Sequence, residues 1–159
     1  MCGIVGKVYI DTKKRVTEAE LGQMCQAVKH RGPDDQGVVT LGNVGFGNRR
    51  LAVIDLSPGG HQPMATLDKK IWITFNGEIH NFQELRKDLE RAGEQFKSDS
   101  DTEVILALYR KYGADCLRYL RGQFAFAIWD DKKKELFAAR DRLGINPFKY
   151  YFHFIHPLT

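Results

Sequence analysis

Apolar and polar positions change their period several times along this chain. Val5–Ile10 is mostly apolar and predicts a buried strand near the N-terminus. Thr17-Glu18-Ala19-Glu20 then forms a capping box that starts a helix. Leu21, Met24, Cys25 and Val28 fall on one face of that helix, which assigns Cys25 to the core. His30-Arg31-Gly32-Pro33-Asp34-Asp35 is rich in turn residues and interrupts the pattern. Two strand-like runs follow, Gly37–Leu41 and Val44–Ile54, joined by Gly42-Asn43, a pair suited to a tight hairpin.

A second loop spans Ser57–Met64, and Ile71–Phe75 is a short apolar run expected to end at Asn76-Gly77, where positive φ is favoured. Asn81 is the expected cap of a helix to about Ala92, with Phe82, Leu85 and Leu89 facing inward. Ser100-Asp101-Thr102-Glu103 opens another helix, striped by Val104, Ile105, Leu108 and Tyr112. Gln123–Trp129 and Glu135–Arg140 predict paired strands around Asp130-Asp131-Lys132. Strands, then two helices, then strands imply an α+β class, with helices packed on a mainly antiparallel sheet.

Composition narrows the picture. The chain has 159 residues, 43% of them hydrophobic, which suits one domain with its own core. Its net charge is +4, but the basic residues are interleaved with acids. The clusters Lys132-Lys133-Lys134 and Lys13-Lys14-Arg15 fall at turns, so nucleic-acid binding is not expected. No apolar run approaches a membrane span, and no signal peptide is evident. Cys2, Cys25 and Cys116 are odd in number, widely spaced and without a CxxC pair, so zinc is not expected. His153 and His156 have no carboxylate or thiol partner nearby and make a poor metal site. An unpaired thiol fits a reducing cytoplasm.

The thiol of interest is Cys2. Removal of Met1 would leave it with a free α-amine, of intrinsic pKa near ~8, beside a thiol near ~8.5. An adjacent amine can act as general base for a nucleophile, so one residue would hold both functions.

Six segments together carry a likeness: Met1-Cys2-Gly3-Ile4, His30-Arg31-Gly32-Pro33-Asp34, Asn48-Arg49-Arg50-Leu51-Ala52-Val53-Ile54-Asp55, Gly60-His61-Gln62-Pro63-Met64, Asn76-Gly77-Glu78-Ile79 and Ser100-Asp101-Thr102-Glu103. In this order and spacing the chain resembles the glutaminase domain of class II glutamine amidotransferases, and within them the N-terminal domain of glutamine-hydrolysing asparagine synthetases. The resemblance implies a four-layer α/β/β/α sandwich of the N-terminal-nucleophile type. It implies hydrolysis of L-glutamine to L-glutamate and ammonia through a Cys2 thioester. It makes Asn76, through its side-chain amide, and Gly77, through its N–H, the oxyanion hole. Arg50 would bind the substrate α-carboxylate, Asp101 and Glu78 the α-ammonium, and Leu51, Ala52, Val53 and Ile54 would line the pocket through backbone atoms. Arg49 is expected to be solvated, although it shares a strand face with Leu51 and Val53.

The likeness covers residues 1–151, and 152–159 form a divergent tail. The family's last strands and its ATP-binding synthetase domain have no counterpart here, nor has the glycine-rich phosphate loop such a domain needs. No cofactor is therefore expected, ATP and magnesium belonging only to that absent domain. An unfinished sheet edge would favour a homo-oligomer or a separate synthetase subunit as partner. The ammonia would serve an asparagine-synthetase-like reaction. The competing expectation is a silent homologue that binds glutamine or another protein without catalysis.

Overall fold

The computed structural model describes residues 1–153; His156 and most of the tail expected to diverge lie outside the described residues. Among the described residues, seven strands and three α-helices run in the order β1 (Gly3–Val8), α1 (Glu18–Ala27), β2 (Asp35–Leu41), β3 (Val44–Arg50), β4 (Met64–Ala65), β5 (Ile71–Ile79), α2 (Phe82–Arg91), α3 (Asp101–Tyr112), β6 (Gly122–Asp130) and β7 (Glu135–Arg140). They form two antiparallel sheets, one ordered β1-β3-β2 and the other β4-β5-β6-β7.

α1 lies across all three strands of the first sheet. β1 and β3 meet β5 of the second sheet, and α3 covers β5 from the far side with α2 beside it. The architecture is thus the four-layer α/β/β/α sandwich. Strand alternation divides β5 between two cores. Ile71, Ile73, Phe75 and Ile79 face α3, where they pack with Val104, Ile105, Leu108, Phe124 and Phe126. Trp72 faces the first sheet, where Val44, Phe46 and Trp129 form a smaller cluster. Thr74 shares that face and donates to Gly47 O at 3.1 Å, which ties the two sheets together.

Local signals behave as their chemistry dictates at several points. Thr17 and Glu20 close a reciprocal capping box. Gly42 turns the β2–β3 hairpin at φ +78°. Cys25 and Cys116 are fully buried.

Other boundaries differ from expectation. β1 begins at Gly3 and stops at Val8; as the outer strand of its sheet it leaves Ile10 81% exposed. β3 ends at Arg50, so residues 51–54 belong to a loop. β5 does not stop at Asn76-Gly77 but pairs with β6 through both residues to Ile79. Asn81 occupies the N-cap position of α2 as expected, but its side chain makes no cap bond. Its side chain instead donates to Tyr119 O and accepts from Arg121 N–H, fastening the helix start to the β6 approach. α3 is buried from Val104 through Tyr109 rather than along one stripe, because β4, β5 and α2 all pack against it. Tyr112 stays partly exposed, stacked on Tyr119.

Candidate active site

Pairing of Gly3 with Arg49 puts Cys2 just before the start of β1, beside the end of β3. A Cβ on Gly3 would come within 2.9 Å of the Val28 side chain, so the glycine lets the N-terminus lie close against the end of α1. Three contacts then hold Cys2, one of them its thiol donating to Leu51 O at 3.7 Å. Leu51 N–H donates to its Sγ at 3.4 Å, and Arg31 Nε donates to its carbonyl at 3.0 Å.

Cys2 opens onto a cavity of about 260 Å³, below the size usual for drug-like ligands and fit for one small polar molecule. Its wall also includes Arg50, Leu51, Val53, Ile54, Gly77, Glu78 and Asp101. Residues from both sheets, the loop after β3 and the start of α3 therefore converge on one space.

Arg50 is the positive charge of this wall. Its guanidinium is buried and turned back onto its own loop, where Nη1 donates to Ser57 O at 3.1 Å and Nη2 to Asp55 O. A guanidinium has five N–H donors, so two carbonyls fix its plane and leave others for a ligand. Gly60 makes room for it, since a Cβ there would sit 2.0 Å from Nη2. The Asp55 carboxylate accepts from Ser57 N–H and Asp99 N–H, and the Ser57 bonds hold it below the usual carboxylate range.

Asp101 is the negative charge. Ser100, not Asp101, caps α3, accepting from Thr102 N–H. The buried Asp101 side chain is free of that task and accepts Ile79 N–H at 3.0 Å. Burial pushes its carboxyl up to about 6, against the opposing pull of the Ile79 and Thr102 N–H groups; the charge of nearby Glu78 adds to the rise. Glu78 itself is exposed at the mouth.

Gly77 has φ +153°, and a Cβ there would meet Gln123 O at 2.2 Å. Glycine is required by the neighbouring strand, and not only by access for a ligand.

Two expected site residues do not line the cavity. Ala52 is half-buried off the wall, its N–H donating to Asp34 Oδ2 at 2.9 Å. Asn76 is buried on the inter-sheet face directly before Gly77, and its Nδ2 donates to Asn146 Oδ1 at 3.1 Å. Arg49, expected in solvent, is buried: Nε donates to Gly32 O at 2.9 Å and Nη1 to Gln36 Oε1 at 2.8 Å. Its partners lie on the His30–Asp35 loop and on β2, which explains how a guanidinium tolerates burial here.

Residues 1–156 match the family described as the glutamine amidotransferase domain. The chain belongs to that family. Among its relatives, asparagine synthetase [glutamine-hydrolyzing] 3 of Bacillus subtilis is 47% identical over 154 residues, covering 94% of this chain and 25% of the relative. A putative asparagine synthetase [glutamine-hydrolyzing] 2 of Methanocaldococcus jannaschii is 43% identical over 95% of this chain and 32% of the relative. The glutamine phosphoribosylpyrophosphate amidotransferase of B. subtilis has the same fold, with a TM-score of 0.75 over 91% of this chain and 38% of that one, at 21% identity. This amidotransferase domain thus spans a quarter to a third of the length of these synthetases.

Two supports of the amidotransferase site were not assigned from sequence. Gln62 is buried, with Oε1 accepting Phe75 N–H at 2.7 Å and Asn48 Nδ2 at 3.1 Å, while Nε2 donates to Thr102 Oγ1 at 3.3 Å. One side chain therefore joins β3, β5 and α3 at the cavity floor. Its signal was a polar residue inside the Gly60–Met64 motif. The other is Asn146, which reaches Asn76 from the loop after β7. Seventy positions separate the pair, and no local pattern links them.

Proposed function

We propose that this domain hydrolyses L-glutamine to L-glutamate and ammonia, with Cys2 as nucleophile. The observation that carries the reading is the convergence of the Cys2 thiol, the Arg50 guanidinium, the Asp101 carboxylate and Gly77 on one cavity. A free amino acid bears a carboxylate and an ammonium, and the wall offers Arg50 for the first and Asp101 with Glu78 for the second. Arg50 suits the carboxylate because its fork presents parallel N–H donors. Asp101 and Glu78 suit the ammonium. Leu51, Val53 and Ile54 enclose the aliphatic stem.

Removal of Met1 frees the α-amine of Cys2 to take the thiol proton. Sγ attacks the side-chain carboxamide carbon, and an S–C bond forms as negative charge gathers on the oxygen. Gly77 N–H on the wall, with the Asn76 amide packed directly behind it, is assigned to that oxyanion. The C–N bond then breaks, the proton goes to nitrogen and ammonia leaves. Water attacks the thioester, the C–S bond breaks, and glutamate departs with the thiol restored. Thiol, amine and water suffice for these steps, so the chemistry calls on neither metal nor cofactor.

The relatives named as glutamine-hydrolysing asparagine synthetases support an asparagine-synthetase-like acceptor for the ammonia, in a synthetase domain or subunit. No helix among the described residues is long and apolar enough to cross a membrane. A reducing cytoplasm, which keeps the nucleophilic thiol unoxidised, is the compartment that suits the chemistry.

The test is ammonia release from glutamine by the purified protein and by Cys2→Ala, with the N-terminus checked by intact mass. Loss of at least about 10³-fold in the variant is expected, since without a nucleophile only binding and electrostatic contributions remain. Parent-rate ammonia release by Cys2→Ala would sink the assignment.

A further inference from the structure

Asn76 and Asn146 are two carboxamides buried together, 2% and 0% exposed. One bond joins them, Asn76 Nδ2 to Asn146 Oδ1. The remaining atoms, Asn76 Oδ1 and Asn146 Nδ2, are buried and have no partner. An unmatched buried polar atom lowers stability, and a pair of apolar residues of the same shape would avoid that cost. Stability alone is therefore a poor reason for this arrangement.

Asn146 is also held with care. The Asp141 carboxylate accepts the N–H groups of Phe124, Leu143, Ile145 and Asn146, at 3.2, 3.1, 2.9 and 3.0 Å. Arg140 Nε donates to the Asn146 carbonyl. Phe124 is the residue paired with Gly77 across β5 and β6. The loop bearing Asn146 is thus pinned to the strand that faces the oxyanion-binding segment.

We propose that Asn146 is a positioning residue for the Asn76 carboxamide, an inference that rests on the oxyanion role given to Asn76 above. A carboxamide is planar, and its two N–H bonds point in fixed directions within that plane. The terminal torsion of asparagine is otherwise broad and roughly two-fold. Capture of one N–H by Asn146 Oδ1 fixes this rotation and aims the second N–H. Without the capture the group can turn over and present Oδ1, an acceptor, to a developing negative charge. A stabilising contact would then become a repulsive one.

The experiment is a double-mutant cycle on ammonia release, comparing parent, Asn146→Ala, Asn76→Ala and the double variant. Asn146→Leu is run beside them, with melting temperatures for all. Removing a whole oxyanion donor costs about 10²–10³-fold in kcat, so misaiming one is expected to cost about 10–30-fold. Asn146→Ala and Asn146→Leu should both lose kcat to this extent while KM for glutamine stays within about twofold, the pattern of an interaction made only in the transition state. Asn146→Ala should add nothing in the Asn76→Ala background. Parent kcat in a folded Asn146 variant, a change confined to KM, or losses that multiply in the double variant would each overturn the proposal. An Asn76→Ala variant as fast as the parent would instead remove the oxyanion reading, and a parent releasing no ammonia would remove the glutaminase reading. Both results take this inference with them, and both are distinct from its own failure.

Discussion

The two walls of the cavity are built in different ways. On one side, Cys2 and Arg50 leave the first sheet and are held by loop backbone: Leu51 for the thiol, Asp55 and Ser57 for the guanidinium. On the other, Gly77 and Asp101 sit within the second sheet and at the start of α3, over the larger core and beside the Gln62 network. The loop wall can shift without disturbing either core. The sheet wall cannot. Damage to the first should therefore appear in glutamine binding, and damage to the second in folding as well.

Gly77→Ala is expected to have the largest effect. The new methyl would strike Gln123 O from a backbone conformation unfavourable to alanine, at a cost of 3 kcal/mol or more of stability, on the order of the worst point mutations. Thermal unfolding measures it, and a parent-like melting temperature would show that β5 and β6 are less tightly coupled than the structure indicates. Gly60→Ala pushes on Arg50 from the loop wall. We expect KM for glutamine to rise about 10–100-fold, the worth of a charge-assisted contact, with little change in melting temperature. An equal fall in melting temperature would erase the distinction between the walls.

Asp101 sharpens the comparison through pH. Its carboxyl is raised from 3.8 to about 6, so between these values the folded protein holds a proton that the unfolded chain has released. Its contribution to stability therefore falls as pH rises through that window, by on the order of 2–3 kcal/mol. The charge that costs stability is the one proposed for the substrate ammonium, so on that reading glutamine should bind more tightly as pH climbs past about 6. Asp101→Asn should flatten both profiles, measured as differences from the parent by unfolding and by titration with glutamine. Gln36→Ala should have the smallest effect, about 1 kcal/mol of stability, because Arg49 loses one neutral acceptor and keeps Gly32 O.

The sequence made the class of fold and several of the cavity's lining residues legible, since strand alternation, the capping box and short motifs are local. Thr17 and Glu20 announce α1 by direct contact of neighbours. Strand ends were less legible. The Asn76-Gly77 pair has turn chemistry, yet β6 extends the strand through it by supplying ladder partners on the other side. Arg49 misled for a similar reason. Alternation correctly separated it from Arg50, but its burial depends on Gly32 and Gln36, which only the folded sheet brings near. Asn146 was invisible as a site residue because its meaning lies in a contact across 70 positions.

Asp55 joins the two charges that face the cavity. Its carbonyl receives Arg50, and its carboxylate receives the N–H of Asp99, two residues before Asp101. The cationic and anionic jaws thus share one hinge pin, and their spacing is set like that of a caliper. A change at Asp55 would therefore move both charges at once.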